Sequence, residues 1–170
     1  MDFLIVPTVG FRLLFVLVIL RHQRRLLISL SVTAHPTADW IARQITDAFP
    51  WDGAPEYMIR DRDGCYGQAV MERLAAMGIR DHLTARRSPW QNGHAERLSG
   101  SIRRECLDHI VVFDEAHLRR ILAGYAGYYN ELRTHLSLGE DSPRCRQVQR
   151  LGQLAARPIL GGLHHQYCRI

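Results

Sequence analysis

FRLLFVLVILRHQRRLLISLSV (residues 11–32) decides how this chain folds. Leu13 to Leu20 is an unbroken apolar run of eight residues rich in Val, Ile, Phe and Leu. A bilayer-spanning helix needs about 20 such residues, so this run is too short to cross. The wider apolar stretch, residues 3–20, is interrupted by Pro7, Thr8, Gly10 and Arg12, and Asp2 stands where a signal sequence would carry basic residues. The run therefore reads as a strand buried on both faces, and no membrane partner is expected. RHQRR (21–25) is a polar turn, and LLISLSV (26–32) is the next strand. Upstream, Asp2 to Val6 reads as a strand and Pro7 to Gly10 as a turn. Three strands joined by short turns make an antiparallel meander.

Downstream the period changes. In HPTADWIARQITDAF (35–49), Trp40, Ile41, Ile45, Ala48 and Phe49 recur at helical spacing, with Thr37 as N-cap. PWDGAP (50–55) ends that helix. EYMIRD (56–61) is a fourth strand, Gln68 to Met77 a helix closed by Gly78, and IRDHLT (79–84) a fifth strand. A helix from about Trp90 to His109 carries Ala95, Leu98, Ile102 and Cys106 as one apolar stripe. A further helix spans Glu115 to Arg133, and its Tyr125, Tyr128 and Tyr129 read as packing residues. The order implies an α/β fold: a five-stranded mixed sheet, antiparallel meander then parallel strands, with helices on both faces. Residues 1–135 are expected to form the core and 136–170 a tail of the same domain.

Composition narrows the function. The chain has 170 residues, 46% hydrophobic and 23% charged, as in an ordinary globular protein. Its formal charge is +5, and it has no lysine, so all 22 basic residues are arginines. Coding bias accounts for that composition; equally, arginine's planar fork suits phosphate, and a basic surface attracts nucleic acid. Cys65, Cys106, Cys145 and Cys168 are widely spaced and form no metal-binding or redox pattern, which fits a reducing, cytoplasmic compartment.

Three acids stand out. Asp2 lies on the first strand, Asp61 ends the fourth, and Glu96 lies on the helix after residue 90. Each alone reads blandly: a solvated terminal residue, a turn aspartate in RDRDG (60–64), a surface helix residue. If the first and fourth strands are neighbours, the three carboxylates meet at one sheet edge. Clustered carboxylates without Cys or His suit a hard divalent cation, Mg²⁺ or Mn²⁺. Two such ions stabilise the attacking and leaving oxygens of a phosphoryl displacement, and a basic protein directs that chemistry to DNA.

SPWQNGHAERL (88–98) resembles the motif of the integrase core family, which includes the DDE transposases of bacterial insertion sequences and the retroviral integrases. In that family a Ser-Pro-x-x-Asn segment leads into the helix bearing the catalytic Glu, and the second acid lies about 35 positions earlier. Asp61 lies 35 positions before Glu96 and Asp63 33, and aligning Tyr66 with the family's aromatic favours Asp61, with Asp63 the alternative. VTAHPTADWIARQI, SIRRECLDHIVV and YYNELRTHLSL are also similar to transposase catalytic domains, so the resemblance runs from Asp2 to about Pro143.

The resemblance implies an RNase H-like fold with two Mg²⁺ (or Mn²⁺) ions on Asp2, Asp61 and Glu96. It also implies water-driven cleavage at transposon ends, followed by attack of the freed 3′-hydroxyl on target DNA. Asn92, Arg97, Arg103 and Arg104 on or beside the Glu96 helix, with Arg86 and Arg87 before it, are the expected DNA contacts. Asn130 and Arg133 are expected to tie the last helix to the core. Family members usually carry an N-terminal DNA-binding region, whereas here the first acid is residue 2 and the first strand reads as clipped. The expected partners are therefore DNA (transposon ends and target) and either further copies of the chain or an upstream DNA-binding polypeptide, in a bacterial, nucleoid-associated setting. A truncated, inactive fragment that binds DNA or co-assembles with an intact transposase is the alternative.

Overall fold

The computed structural model describes residues 1–50, 53–147 and 149–170. Strand β1 (Asp2–Pro7) pairs antiparallel with β2 (Leu13–Arg21), and β2 with β3 (Leu26–Thr33), so the meander forms as expected. Helix α1 (Ala38–Ala48) follows, and the Thr37 hydroxyl accepts the Trp40 N–H at its N-terminus. Strand β4 (Tyr57–Arg60), α2 (Gln68–Ala76) and β5 (Arg80–Leu83) form a β-α-β unit in which β4 and β5 are parallel. Gly78 closes α2 at φ +69°, a conformation only glycine adopts without strain. Helices α3 (Gly93–Glu105) and α4 (Glu115–Glu131) complete the core, and β6 (Leu154–Ile159) and β7 (His164–Arg169) form a hairpin.

The eight-residue apolar run explains the layering. Val16 and Val18 on β2 pack with Leu98, Ile102, Leu118, Leu122 and Tyr125 from α3 and α4. Leu17 and Ile19, on the opposite face, pack with Ile41, Ile45, Val70 and Leu74 from α1 and α2. The period of two thus feeds two cores from one strand, and all four of these β2 side chains are at most 1% exposed. Helices cover both faces of the meander, and no helix among the described residues is long and apolar enough to cross a membrane.

The expected single sheet is the part that does not form. The strands divide into β1-β2-β3, β4-β5 and β6-β7. Among the described residues the first two sheets share one hydrogen bond, from the Met1 ammonium to the Ile59 carbonyl at 2.6 Å, and they pack together through Leu17, Ile19 and Met58. The helix expected from Trp90 to His109 is also three segments. A 3₁₀ turn (Pro89–Asn92) precedes α3, and non-helical backbone at Cys106 (φ −141°, ψ −66°) separates it from a 3₁₀ turn at Leu107–His109. The hairpin β6-β7 lies in the Gly-, Pro- and Arg-rich stretch where periodicity indicated no element.

Candidate active site

The three acids come from three different elements. Asp2 is the first residue of β1, half-buried, with its Oδ1 accepting the Phe3 N–H at 2.9 Å. Asp61 directly follows β4, half-buried, and its Oδ1 accepts the Asp63 N–H at 3.2 Å. Asp63 is exposed and caps the same turn through the Cys65 N–H. Glu96 lies exposed on the first turn of α3.

The ionisation of Asp2 reports how these groups are arranged. Burial pushes its carboxyl up to about 6; the Phe3 N–H opposes this, while the charges of Asp61 and Glu96 add to it. The Met1 ammonium, buried and pushed down to about 6, is held partly charged by Asp2 and Asp61. The charges of Asp61 and Glu96 thus both reach Asp2. Among the described residues, no three His, Cys, Asp or Glu side chains are drawn closely enough around one point to hold a metal ion.

The expected DNA contacts are placed unequally. Asn92 is buried, and its Nδ2 donates to the Met1 carbonyl at 3.1 Å, tying the start of α3 to β1. Arg103 donates to the Ile5 carbonyl at 3.0 Å, a second tie between the same elements. Arg97, Arg104, Arg86 and Arg87 are exposed, and Arg87 sits at φ +58° in a turn before the 3₁₀ segment.

Two residues brace the acids, and one of them, Arg60, escaped the sequence reading. Arg60, 4% exposed, grips Asp81 of β5 through Nε (2.9 Å) and Nη2 (2.7 Å), locking the strand end from which Asp61 projects. Tyr66 packs under this guanidinium, 5.0 Å from Cζ to ring centroid, and against Phe3. Its hydroxyl is buried without a partner among the described residues, and burial together with the charge of Asp61 holds it neutral far above neutral pH. Nothing in the spacing announces Arg60, whereas Tyr66 was visible as the aromatic five positions after Asp61.

Comparison with known proteins follows this geometry. Residues 77–143, which span β5, α3 and α4, match the family described as "Integrase core domain". An uncharacterized 31.7 kDa protein of insertion element IS407 from Burkholderia multivorans is 29% identical over 105 residues. That match covers 61% of this chain but only 38% of the relative's length. A chain of the simian T-cell lymphotropic virus intasome, solved in complex with the PP2A regulatory subunit B56 gamma, superposes with a TM-score of 0.66 at 15% identity, over 98% of this chain and 64% of that one. The catalytic core domain of BIV integrase gives 0.53 at 17% identity, over 83% and 88%. At such identities the likeness establishes the RNase H-like fold. The match over 77–143 and the insertion-element relative show that this part of the chain is similar to the integrase core domain family.

Proposed function

We propose that the chain is the catalytic core of a DDE transposase or integrase that cleaves a DNA phosphodiester and joins the freed 3′-hydroxyl to target DNA. The observation that supports this reading is that Met1, the neighbour of Asp2, joins the elements of the other two acids in an integrase-type fold: its ammonium donates to the Ile59 carbonyl of β4, two residues before Asp61, and its carbonyl accepts from Asn92, one turn before Glu96. Family members are polynucleotidyl transferases and generally use divalent metals. The donors here fit such an ion in kind, being three carboxylates whose repulsion a cation would relieve. They do not yet surround one point, so binding has to draw them inward. When bound, two Mg²⁺ or Mn²⁺ ions would polarise the phosphate and lower the pKa of the attacking water.

The protein's own part is positional. Arg60 and Asp81 fix the end of β4, and Asn92 and Arg103 fix α3 against β1, so the acids are carried on braced elements. Asp2, whose carboxyl is pushed up to about 6 mainly by burial, would give up its proton to a bound cation. Arg97, Arg104, Arg86 and Arg87 are proposed phosphate contacts, with DNA ends and target as substrates and further copies of the chain as partners. Residues 1–135 would serve as the core and 136–170 as its tail, in a cytoplasmic setting.

The test is Mg²⁺- or Mn²⁺-dependent nicking of labelled DNA. Wild type should give product, and Asp61→Asn and Glu96→Gln should each lower it at least a hundredfold; equal nicking by both variants sinks the assignment. A second reading, a non-catalytic chain that binds DNA or co-assembles with an intact transposase, is favoured by the spread of the three acids. It predicts no product with either metal, together with inhibition of an intact transposase in the same assay.

A further inference from the structure

A cavity of about 380 Å³ opens beside α3, lined among others by Arg25, His94, Arg97, Tyr129, Arg133 and His135. No carboxylate lines it. Its arginines come from the β2-β3 turn, from α3 and from the chain just past α4, so the sequence gives no hint that they share a space. We propose that this cavity is a binding site for a phosphate oxyanion, and that its natural occupant is a backbone phosphate of DNA running past the acid edge.

Four observations carry the proposal. Arg133 is held rigidly by Glu105 through Nε (2.7 Å) and Nη2 (2.6 Å), leaving Nη1 directed at the Nδ1 of His135 at 3.2 Å. A guanidinium has no acceptor, so Nδ1 must accept and the imidazole proton sits on Nε2. That Nε2 is buried and lacks a partner among the described residues, although His135 is only 6% exposed. A buried N–H donor without an acceptor is costly, and an anion in the cavity supplies one. Arg25 and Arg97 bring two further guanidinium charges; no ion pair compensates either among the described residues. Burial, with the charges of Arg25 and Arg97 at His94 and of Arg133 and Arg25 at His135, holds both imidazoles below the ordinary range.

The location suits DNA. His94, Arg97 and Ser101 share one side of α3 and line the cavity, while Glu96 projects from the neighbouring face. A phosphate seated here would fix a strand near the acids without touching them. The site needs neither metal nor cleavage, and it rests on the transposase reading only for the source of the phosphate.

The experiment is therefore run on the full chain in EDTA, with two probes. Inorganic phosphate is titrated while the His135 imidazole resonance is followed by ¹H–¹⁵N NMR. Duplex DNA is titrated across a salt series with wild type, Arg25→Gln and Arg97→Gln, each checked for an unchanged thermal midpoint. A DNA phosphate predicts several-fold weaker DNA binding in each variant and a salt slope smaller by about one. A free-phosphate site predicts a His135 shift in wild type that either variant abolishes, with the DNA slope unmoved. If phosphate leaves His135 unmoved and both folded variants bind DNA with the wild-type slope, the proposal is overturned. Loss of nicking in the metal assay, with these bindings intact, would instead count against the catalytic reading alone.

Discussion

His135 shows how one side chain couples packing to pH. Burial, then the charges of Arg133 and Arg25, pushes its imidazole down to about 4, against the opposing charge of Glu105. The unfolded chain takes up this proton near pH 6.5, and the folded chain only near 4. Stability is therefore lost as pH falls through that window, by roughly 1 kcal/mol after allowing for solvent screening. Asp2 works in the opposite sense: its folded carboxyl, raised to about 6, keeps a proton that the unfolded chain releases, so its contribution grows as pH falls from about 6 to 3.8. The two trends mask each other in wild type alone, so the comparison needed is with His135→Asn. Urea unfolding at pH 7 and pH 5, which spans about half of that window, should show wild type losing about 0.5 kcal/mol more than the variant; equal losses would remove His135 as the group responsible. Arg60 and Tyr66 make a related point about legibility. Sequence spacing picked out Asp61, but the buried guanidinium that braces it could be recognised only once Asp81 was seen on the adjacent strand.

Among the elements, α4 is held against the sheet by a buried amide, beside the bond from Arg119 to the Val32 carbonyl at 2.7 Å. Asn130 is buried, and it accepts the Leu27 N–H at 3.0 Å and donates to the Leu27 carbonyl at 2.8 Å, completing one residue of the β3 edge as another strand would. Removing this side chain leaves a buried donor and acceptor both unmet, each worth about 1–3 kcal/mol. Asn130→Ala is expected to destabilise the protein by about 2–4 kcal/mol in chemical denaturation; a change below 0.5 kcal/mol would show that water replaces the amide. The expectation that Asn130 and Arg133 tie the last helix to the core thus has two physical forms, this strand-like pairing and the Arg133–Glu105 ion pair to the end of α3. The apolar stripe of α3 was equally legible, and Ala95, Leu98, Ile102 and Cys106 are all buried. Its ends were not, because backbone torsions at Ser88 and Cys106 leave no periodic trace.

For the molecule as a whole, stability is unevenly distributed. β2 is shared by two cores, whereas β4-β5 meets the meander, among the described residues, through one hydrogen bond and one of those cores, and β6-β7 is largely exposed, with Leu154 at 68% and Tyr167 at 67%. Amide exchange should follow that order: the hairpin opens first, β4-β5 next, and β2 only with global unfolding. Equal protection in β2 and the hairpin would contradict it.

The apolar run 13–20 and the helical periods were enough to determine the α/β class and both-sided helix coverage, and the motif around residues 88–98 the similarity to integrase cores, because each rests on local pattern. Tertiary structure alone decided that the sheet divides, that Arg60 and Asn92 brace the acid-bearing elements, and that three arginines distant in sequence line one cavity. Those outcomes depend on which backbone groups find partners across the fold and on charges brought together from separate elements, and neither has a period that a sequence can display.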